Sequence, residues 1–470
     1  MKNYNRIISL IGLLFMVAGC KIYKDVQAPK AELPVAFNDE AVKDTVGIGA
    51  LPWKSFFRDE VLLALIDSAL KKNFDMHIAL KNIEEAQQIV RQSKWNNVPT
   101  LDLNATGSTI IPSKYSLNGL TSNQFLGSNH IEDYSAGASL SWEADIWGRI
   151  RNTNKAALAA YLQSDEARKT LQTNLISNVS KGYFNLLMLD QQLRVAKHNI
   201  ELNDSTLHIV IVQYNFGQVT SLAVQQAQAQ QLIAAELIPQ LEQEIALQEN
   251  ALHILSGQLP FAIRRHAILD EIKFPVELSA GVPSAMVRRR PDVRSRELDL
   301  VIANAKVGIS KAHMYPALRI TASGGANALK ASNWFNIPSS LFGVVGASIV
   351  QPLLQHKELS TQYKLTDIER EKAVILFRQT VLKAVGEVSD AMVKIEKLKH
   401  QELIVGKRVL TLQHATANAN SLFQNGMANY LEVIIAQGNV LQSELDFASV
   451  KRQELSAIVD LYRSLGGGTN

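Results

Sequence analysis

Cysteine is nearly missing from this 470-residue chain: Cys20 is the only one, so no disulfide can form within it. Catalytic signatures are missing as well. There is no GxxxxGK[ST], no HExxH, no GxSxG and no paired cysteines, so the sequence gives no sign of an enzyme. His253, His266, His356 and His400 are scattered without ligand spacing, and no metal site or other cofactor is expected. A dense basic face is also lacking. Lys and Arg number 48 against 44 Asp and Glu, a balance that argues against a nucleic-acid partner. The longest basic run, Arg288-Arg289-Arg290, ends at Pro291, where a helix is expected to begin, and reads as a solvated helix entry.

What is present at the N-terminus is a targeting segment. Lys2 and Arg6 precede an apolar stretch, Ile7 to Ala18, too short to span a bilayer as a mature helix. It ends in V-A-G-C, Val17 to Cys20, which resembles a bacterial lipobox. Residues 1–19 are then a lipoprotein signal peptide, and Cys20 carries a covalent lipid. Lys21 follows, with no Asp to mark inner-membrane retention, which by resemblance to lipoprotein sorting favours the outer membrane. A single lipid holds a protein only loosely, so a second attachment is expected.

The chain also repeats itself. At a shift of 217, Asp75 meets Asp292, Ala86 meets Ala303, Pro99 meets Pro316 and Gly107 meets Gly324. At a shift of 209, Ala138-Ser139 meets Ala347-Ser348, Gly217 meets Gly426, Leu222 meets Leu431 and Gly257 meets Gly466. The register slips once, between Gly107 and Ala138, as a loop of different length in two copies of one fold requires. Duplication on this scale points to an architecture whose function is its shape. The organisation read from it is an N-terminal anchor and equatorial segment, 20–57, a first repeat, 58–257, a linker, 258–282, and a second repeat, 283–470.

Within each repeat the apolar period changes in the same order. A helical pattern runs from about Asp59 to Asn97 and stops at Pro99; its copy runs from about Pro283 to Tyr315 and stops at Pro316. Period two follows. Leu101, Leu103 and Ala105 alternate with Asp102, Asn104 and Thr106, and Leu318, Ile320 and Ala322 alternate with Arg319, Thr321 and Ser323. A second strand in each copy covers Tyr134 to Trp142 and about Phe342 to Gln351. Such strands, apolar on one face and polar on the other, suit a transmembrane β-barrel, and Tyr134, Trp142, Trp147 and Tyr315 stand where an aromatic girdle would. Ser108 to Asp133 and Gly325 to Leu341 read as exposed loops.

No proline interrupts Arg149 to Tyr214, which predicts about 100 Å of helix, and Glu358 to Phe423 repeats it. Val374, Val381, Val385, Val388, Met392 and Ile395 have coiled-coil spacing, as do Leu441, Ala448, Leu455 and Tyr462 on the returning helix. Gly217 and Gly426 end the long helices. Four strands cannot close a barrel, and open strand edges cannot face lipid, so several copies must share one sheet.

These pieces resemble the outer-membrane efflux protein family, the TolC-like channel-tunnels, in the lipoprotein branch that serves RND multidrug pumps. The resemblance rests on the lipobox, on S-W-E-A-D-I-W-G-R-I-R (Ser141 to Arg151) and on R-R-P-D-V-R (Arg289 to Arg294). It rests also on A-N-A-K-V-G-I-S-K-A-H-M-Y-P-A-L (Ala303 to Leu318), on N-G-M-A-N-Y-L-E-V-I-I-A-Q (Asn425 to Gln437) and on the closing S-L-G-G-G. It implies a mainly α chain with membrane β-strands, closing as a homotrimer into a twelve-stranded β-barrel and a twelve-helix α-barrel. The duct would cross the outer membrane, extend into the periplasm and export drugs or other small toxic compounds. Its partners would be a periplasmic adaptor and an inner-membrane RND transporter. Type I protein secretion, heavy-metal efflux and a poreless lipid-anchored scaffold are the alternatives. The resemblance places a channel gate at Glu432 and adaptor-docking tip turns at Gly217 and Gly426. It also shows a departure at Gln355-His356-Lys357, where the family often has a glycine-containing turn, so a local change in that strand-to-helix corner is expected.

Overall fold

The computed structural model describes residues 22–29, 47–274, 280–281 and 283–469. Cys20 and the expected signal peptide, 1–19, lie outside the described residues. Among the described residues no helix is long and apolar enough to cross a membrane.

Asp59 caps α1 (Glu60–Lys72), its carboxylate accepting from the Leu62 amide at 2.8 Å. The single helix expected to reach Asn97 is in fact two. Asn73 takes an extended conformation, φ −62° and ψ 131°, and α2 (Phe74–Trp95) starts anew behind it. The Asn73 side chain accepts from the Met76 amide, so the break is a cap for the next helix. The copy breaks at the equivalent residue, Arg290, between a short helix Pro283–Arg289 and α5 (Pro291–Ala312). There the cause is Pro291, whose ring disfavours helical geometry in the residue before it.

The strands are β1 (Thr100–Ile110), β2 (Ile131–Glu143), β3 (Ala317–Ala328) and β4 (Leu341–Val350). They form one antiparallel sheet in chain order. They extend further into the predicted loops than expected, and the first connection holds helical turns at Leu117–Thr121 and Ser122–Leu126. The long helices are α3 (Arg149–Asn215) and α6 (Glu358–Gln424), each of 67 residues. They return as α4 (Ser221–Leu255) and α7 (Tyr430–Ser464), each of 35. The duplication is therefore exact in length. α2 and α5 lie 217 positions apart at both ends, and both pairs of long-hairpin helices lie 209 apart. The difference is taken up by the shorter β3–β4 connection.

The chain forms two compact units, and each draws on both repeats. The first holds the chain to Ala28, Glu84–Leu162 and Leu298–Ile375, including the sheet. The second holds Pro29–Ile83, Gln163–Glu297 and Leu376–Asn470. In the second unit Phe56 stacks on Tyr462 with ring centroids 4.1 Å apart, Phe274 packs beside it, and the Tyr462 hydroxyl donates to the Leu51 carbonyl. Tyr183, Phe184, Leu186 and Leu252 are fully buried nearby in sequence or as partners across α3 and α4. Each such side chain contributes about 1.5–3 kcal/mol relative to exposure.

Leu441, Ala448, Leu455 and Tyr462 are all buried along α7, as their heptad spacing predicts. On α6 the stripe is shifted. Ala373, Phe377, Val381, Ala384, Val388, Ala391 and Ile395 are buried, while Val374, Val385 and Met392 flank them half-buried. Alanines fill three of these seven buried positions, and a search for large apolar residues passes over them.

Candidate functional site

The register of the sheet sorts its side chains cleanly. Leu103 pairs with Ala138, Leu140 with Ala322, Trp142 with Ile320 and Ile320 with Ala347, so these share one face. The other face carries Asp102 opposite Ser139, Ser139 opposite Ser323, and Ser141 opposite Thr321. One face is apolar across all four strands and the other is mostly hydroxyl and amide. Among the described residues no strand lies beside the outer edges of β1 and β4. On the edge strands of the apolar face Leu103 is 84% exposed and Val345 82%, an apolar surface left open in the single chain.

Aromatic residues mark both ends of the apolar face. At the loop end Tyr134 meets Trp334, whose indole donates to the Ala326 carbonyl. At the helix end the Trp142 indole donates to the Asn97 carbonyl and the Trp147 indole to that of Pro316, with Trp147 against Tyr315. Tyr134 and Trp142 are eight residues apart on one strand, about 26 Å along it. At the 35–45° tilt of outer-membrane strands that is about 20 Å of height, within the roughly 25 Å apolar band.

The S-W-E-A-D-I-W-G-R-I-R motif builds the corner from β2 into α3. Glu143 pairs with Arg149 at 2.9 Å and faces Arg319 across the strands. The Asp145 carboxylate accepts from the Ile150 and Arg151 amides and so caps α3. Gly148 makes the turn with φ +77°. Its counterpart in the second repeat is Lys357, which keeps the same left-handed conformation at φ +62°. His356 is left-handed as well, at φ +48°, whereas its counterpart Trp147 is not, so the expected local change at Gln355-His356-Lys357 is present in the backbone as well as in the residues.

At the other candidate region, Gly217 (φ +70°) and Gly426 (φ +72°) close the long helices with the same pattern. The Gln218 amide donates to the Gln213 carbonyl, and the Met427 amide to that of Leu422. A Cβ on either glycine would meet nothing within 4 Å, so conformation alone selects glycine. Val210, Ala223, Ala227, Phe423 and Val433 form one buried cluster joining the two hairpin ends. The Tyr430 hydroxyl donates to Gln226 Oε1 at 2.6 Å, linking α7 to α4. Glu432 is exposed in the first turn of α7, beside Asn429, whose side chain caps that helix.

Arg290 overturns the reading of the basic run as a solvated entry. Its side chain is 5% exposed, pairs with Asp292 at 2.6 Å and Glu387 at 2.9 Å, and donates to the Ser464 carbonyl. Burial acts against the Asp292 carboxylate, but the hydrogen bonds and charge of Arg290 outweigh it and hold that carboxyl below its ordinary range. A second arrangement was also invisible in the sequence. Within the first unit, residues 23–26 are strapped to α3 and α5. Asn304 accepts from the Val26 amide and donates to its carbonyl, Asp25 pairs with Lys155, and the Tyr23 hydroxyl donates to Asn152. Gly308 leaves room for the Tyr23 ring, which an added Cβ would approach to 2.6 Å. The only local signal was glycine and asparagine on one helix at Asn304 and Gly308. Among the described residues no group of acids and histidines is placed to hold a metal ion.

A sheet with one lipid-compatible face, two open edges and paired aromatic belts, continued by long helical hairpins, defines a subunit of an outer-membrane channel. The profile described as "Outer membrane efflux protein" matches residues 65–258 and 282–467, and the chain belongs to that family. It is similar to the probable outer membrane lipoprotein SilC of Salmonella typhimurium, at 26% identity over 97% of this chain and 98% of that one. It is similar also to the solvent efflux pump outer membrane protein SrpC of Pseudomonas putida, at 27% identity over 97% of each. Among solved structures, CusC superposes with a TM-score of 0.84 at 25% identity, covering 95% of this chain and all of that one. The outer-membrane channel OprN gives a TM-score of 0.87 at 22% identity, covering 96% and 100%. The fold is the TolC-like channel fold, and the protein is an efflux channel of the outer membrane.

Proposed function

We propose that three copies of this chain enclose a passive duct which carries small toxic compounds from the periplasm to the exterior, performing no chemistry of its own. The observation that carries this is the pair of open edges, β1 and β4, on a sheet with one apolar face. In hydrocarbon the unpaired amides and carbonyls of an edge have no water to bond, so β4 of one copy must pair with β1 of the next. Three copies then supply twelve strands and, with two hairpins each, twelve helices. A second surface supports assembly. Ile368, Ile375 and Leu382, and further on Leu403 and Leu410, are seven apart along α6 and exposed in the single chain, with Ser389 and Glu396 at the two positions between the groups.

In this reading Cys20 carries the lipid that holds the protein at the outer membrane, and an inner-membrane RND transporter loads the duct through a periplasmic adaptor. The turns at Gly217 and Gly426 are the adaptor's docking points. Three Glu432 carboxylates brought near the axis tune closure and cation selectivity.

Planar-bilayer recording of the purified protein, with chemical cross-linking of the same sample, tests the proposal. A conducting species that cross-links to three chains is expected, and a monomer without conductance overturns it. Within a conducting channel, Glu432→Ala is expected to raise resting leak of small solutes; unchanged leak removes Glu432 from the gate. Mass spectrometry of the membrane-extracted chain should show a lipid on Cys20 that Cys20→Ser lacks.

A further inference from the structure

On the polar face of the sheet, β4 departs from its neighbours. Where β1, β2 and β3 present residues such as Asp102, Ser139 and Ser323, β4 presents Phe342, Val344 and Val350. Phe342 is the bulkiest of them, and the two positions next to it in its row are glycines. It stands opposite Gly325, and Gly325 stands opposite Gly137. Neither glycine can be enlarged. A Cβ on Gly325 would lie 2.1 Å from the Ala136 carbonyl oxygen, and one on Gly137 would lie 2.7 Å from that of Gly324. The row therefore reads Asn104, Gly137, Gly325, Phe342: a low floor with one aromatic ring at its edge.

If the apolar face meets lipid, the polar face meets the water inside the barrel, and this ring points into the passage. A phenylalanine on a hydrophilic wall loses the hydration its serine and threonine neighbours keep, so the wall alone gives no reason for it. Its place along the strand is specific too. Phe342 is the second residue of β4, at the end next to the 329–340 connection, whereas Ser141 lies near the helix end of β2. We propose that Phe342 and its symmetry mates form an apolar collar just inside that mouth of the barrel, which narrows the passage and offers contact to apolar parts of a solute. This rests on the duct reading above. It makes Phe342 a size- and polarity-selecting residue of the channel.

The test uses the scarcity of cysteine. A Ser141→Cys chain places a thiol on the polar face beyond the collar, and the chain without it reports any background from Cys20. Intact cells are treated from outside with a small cationic methanethiosulfonate or with a bulky polyethylene-glycol maleimide. The small reagent is expected to label Ser141→Cys readily and the bulky one slowly. Adding Phe342→Ala should speed the bulky reaction about fivefold with little change in the small one, while Val345→Ala, on the opposite face, changes neither. Equal bulky-reagent rates with and without Phe342→Ala overturn the collar while leaving the duct intact. Failure of the small reagent to reach Ser141→Cys in a correctly inserted protein overturns the duct, and the collar with it.

Discussion

Arg290 donates to the backbone carbonyl of Ser464, the last residue of α7, at 3.1 Å. The first repeat makes the same contact with different chemistry: Asn73, 217 positions earlier, donates to the carbonyl of Leu255, the last residue of α4, at 3.0 Å. Each repeat thus ties the end of its returning helix to the break before its α2 or α5 helix. The neighbouring glycines complete the joint. Gly257 (φ +64°) sits against the Lys72 carbonyl and Gly466 (φ +81°) against Arg289, leaving no room for a side chain. The duplicated joint has diverged from a neutral amide to a guanidinium held by two carboxylates.

Loss of the charged joint should cost more than loss of the neutral one. Arg290→Met leaves Asp292 without its ion pair, leaves Glu387 with Arg463 alone and removes a carbonyl cap; because both acids are partly solvated, a cost of about 2 kcal/mol is expected. Asn73→Ala should cost about 1 kcal/mol. Thermal unfolding of the detergent-solubilised protein, followed by circular dichroism, ranks the two. An Arg290→Met protein as stable as wild type would remove the ion pairs from the joint.

The joint and a second cluster should respond to pH with opposite signs. Asp292 has a depressed folded pKa, so its contribution is full above its unfolded value and is lost as pH falls from about 4. Glu454 behaves the other way. Burial raises its pKa, against the opposing hydrogen bond and charge of Lys451 at 3.1 Å, and Glu402 adds to the rise from the other side of that lysine. A raised carboxyl costs stability above its folded pKa, and that cost is relieved as pH falls toward the unfolded value near 4. Glu454→Gln is therefore expected to be more stable than wild type at neutral pH, with the gap closing on mild acidification. A pH series of unfolding midpoints checks this, and a constant gap would exclude titration of Glu454.

Lys357 holds a left-handed conformation that its counterpart Gly148 adopts freely. Lys357→Gly is expected to stabilise the corner by about 1 kcal/mol, the strain of a Cβ in that region less the added chain entropy of glycine. Destabilisation would mean that the lysine side chain makes a contact worth more than the strain.

The hydrogen bond from Tyr430 to Gln226 joins the two hairpins beside their turns. Tyr430→Phe keeps the ring in the apolar cluster and removes only the bond, so stability should change by about 1 kcal/mol or less. Resting conductance in bilayers should nonetheless rise, because the lost contact favours the joined arrangement alone. Unchanged conductance would assign the bond a structural role only.

Much of this molecule is written along the chain, and the reason is locality. The duplication, the prolines that end α2 and α5, the alternation in β1 and β3 and the heptads of α7 each depend on residues a few positions apart. So do the left-handed turns at Gly217 and Gly426, since φ is a property of one residue. By itself the sequence thus determined the order and period of the elements, the length of the long hairpins, and the open sheet that forces copies together. What only the tertiary structure decided lies between residues far apart in number. Arg290 became a buried clamp because Glu387 and Ser464 arrive from α6 and α7, and no local pattern distinguishes that guanidinium from those of the exposed Arg288 and the half-buried Arg289 before it. Asn73 likewise needed Leu255, the strap at Tyr23 needed Gly308, and Phe342 gained its meaning from two glycines on other strands. Burial and pairing are set by what the rest of the chain brings alongside, so these features were fixed at the stage of packing and not of periodicity.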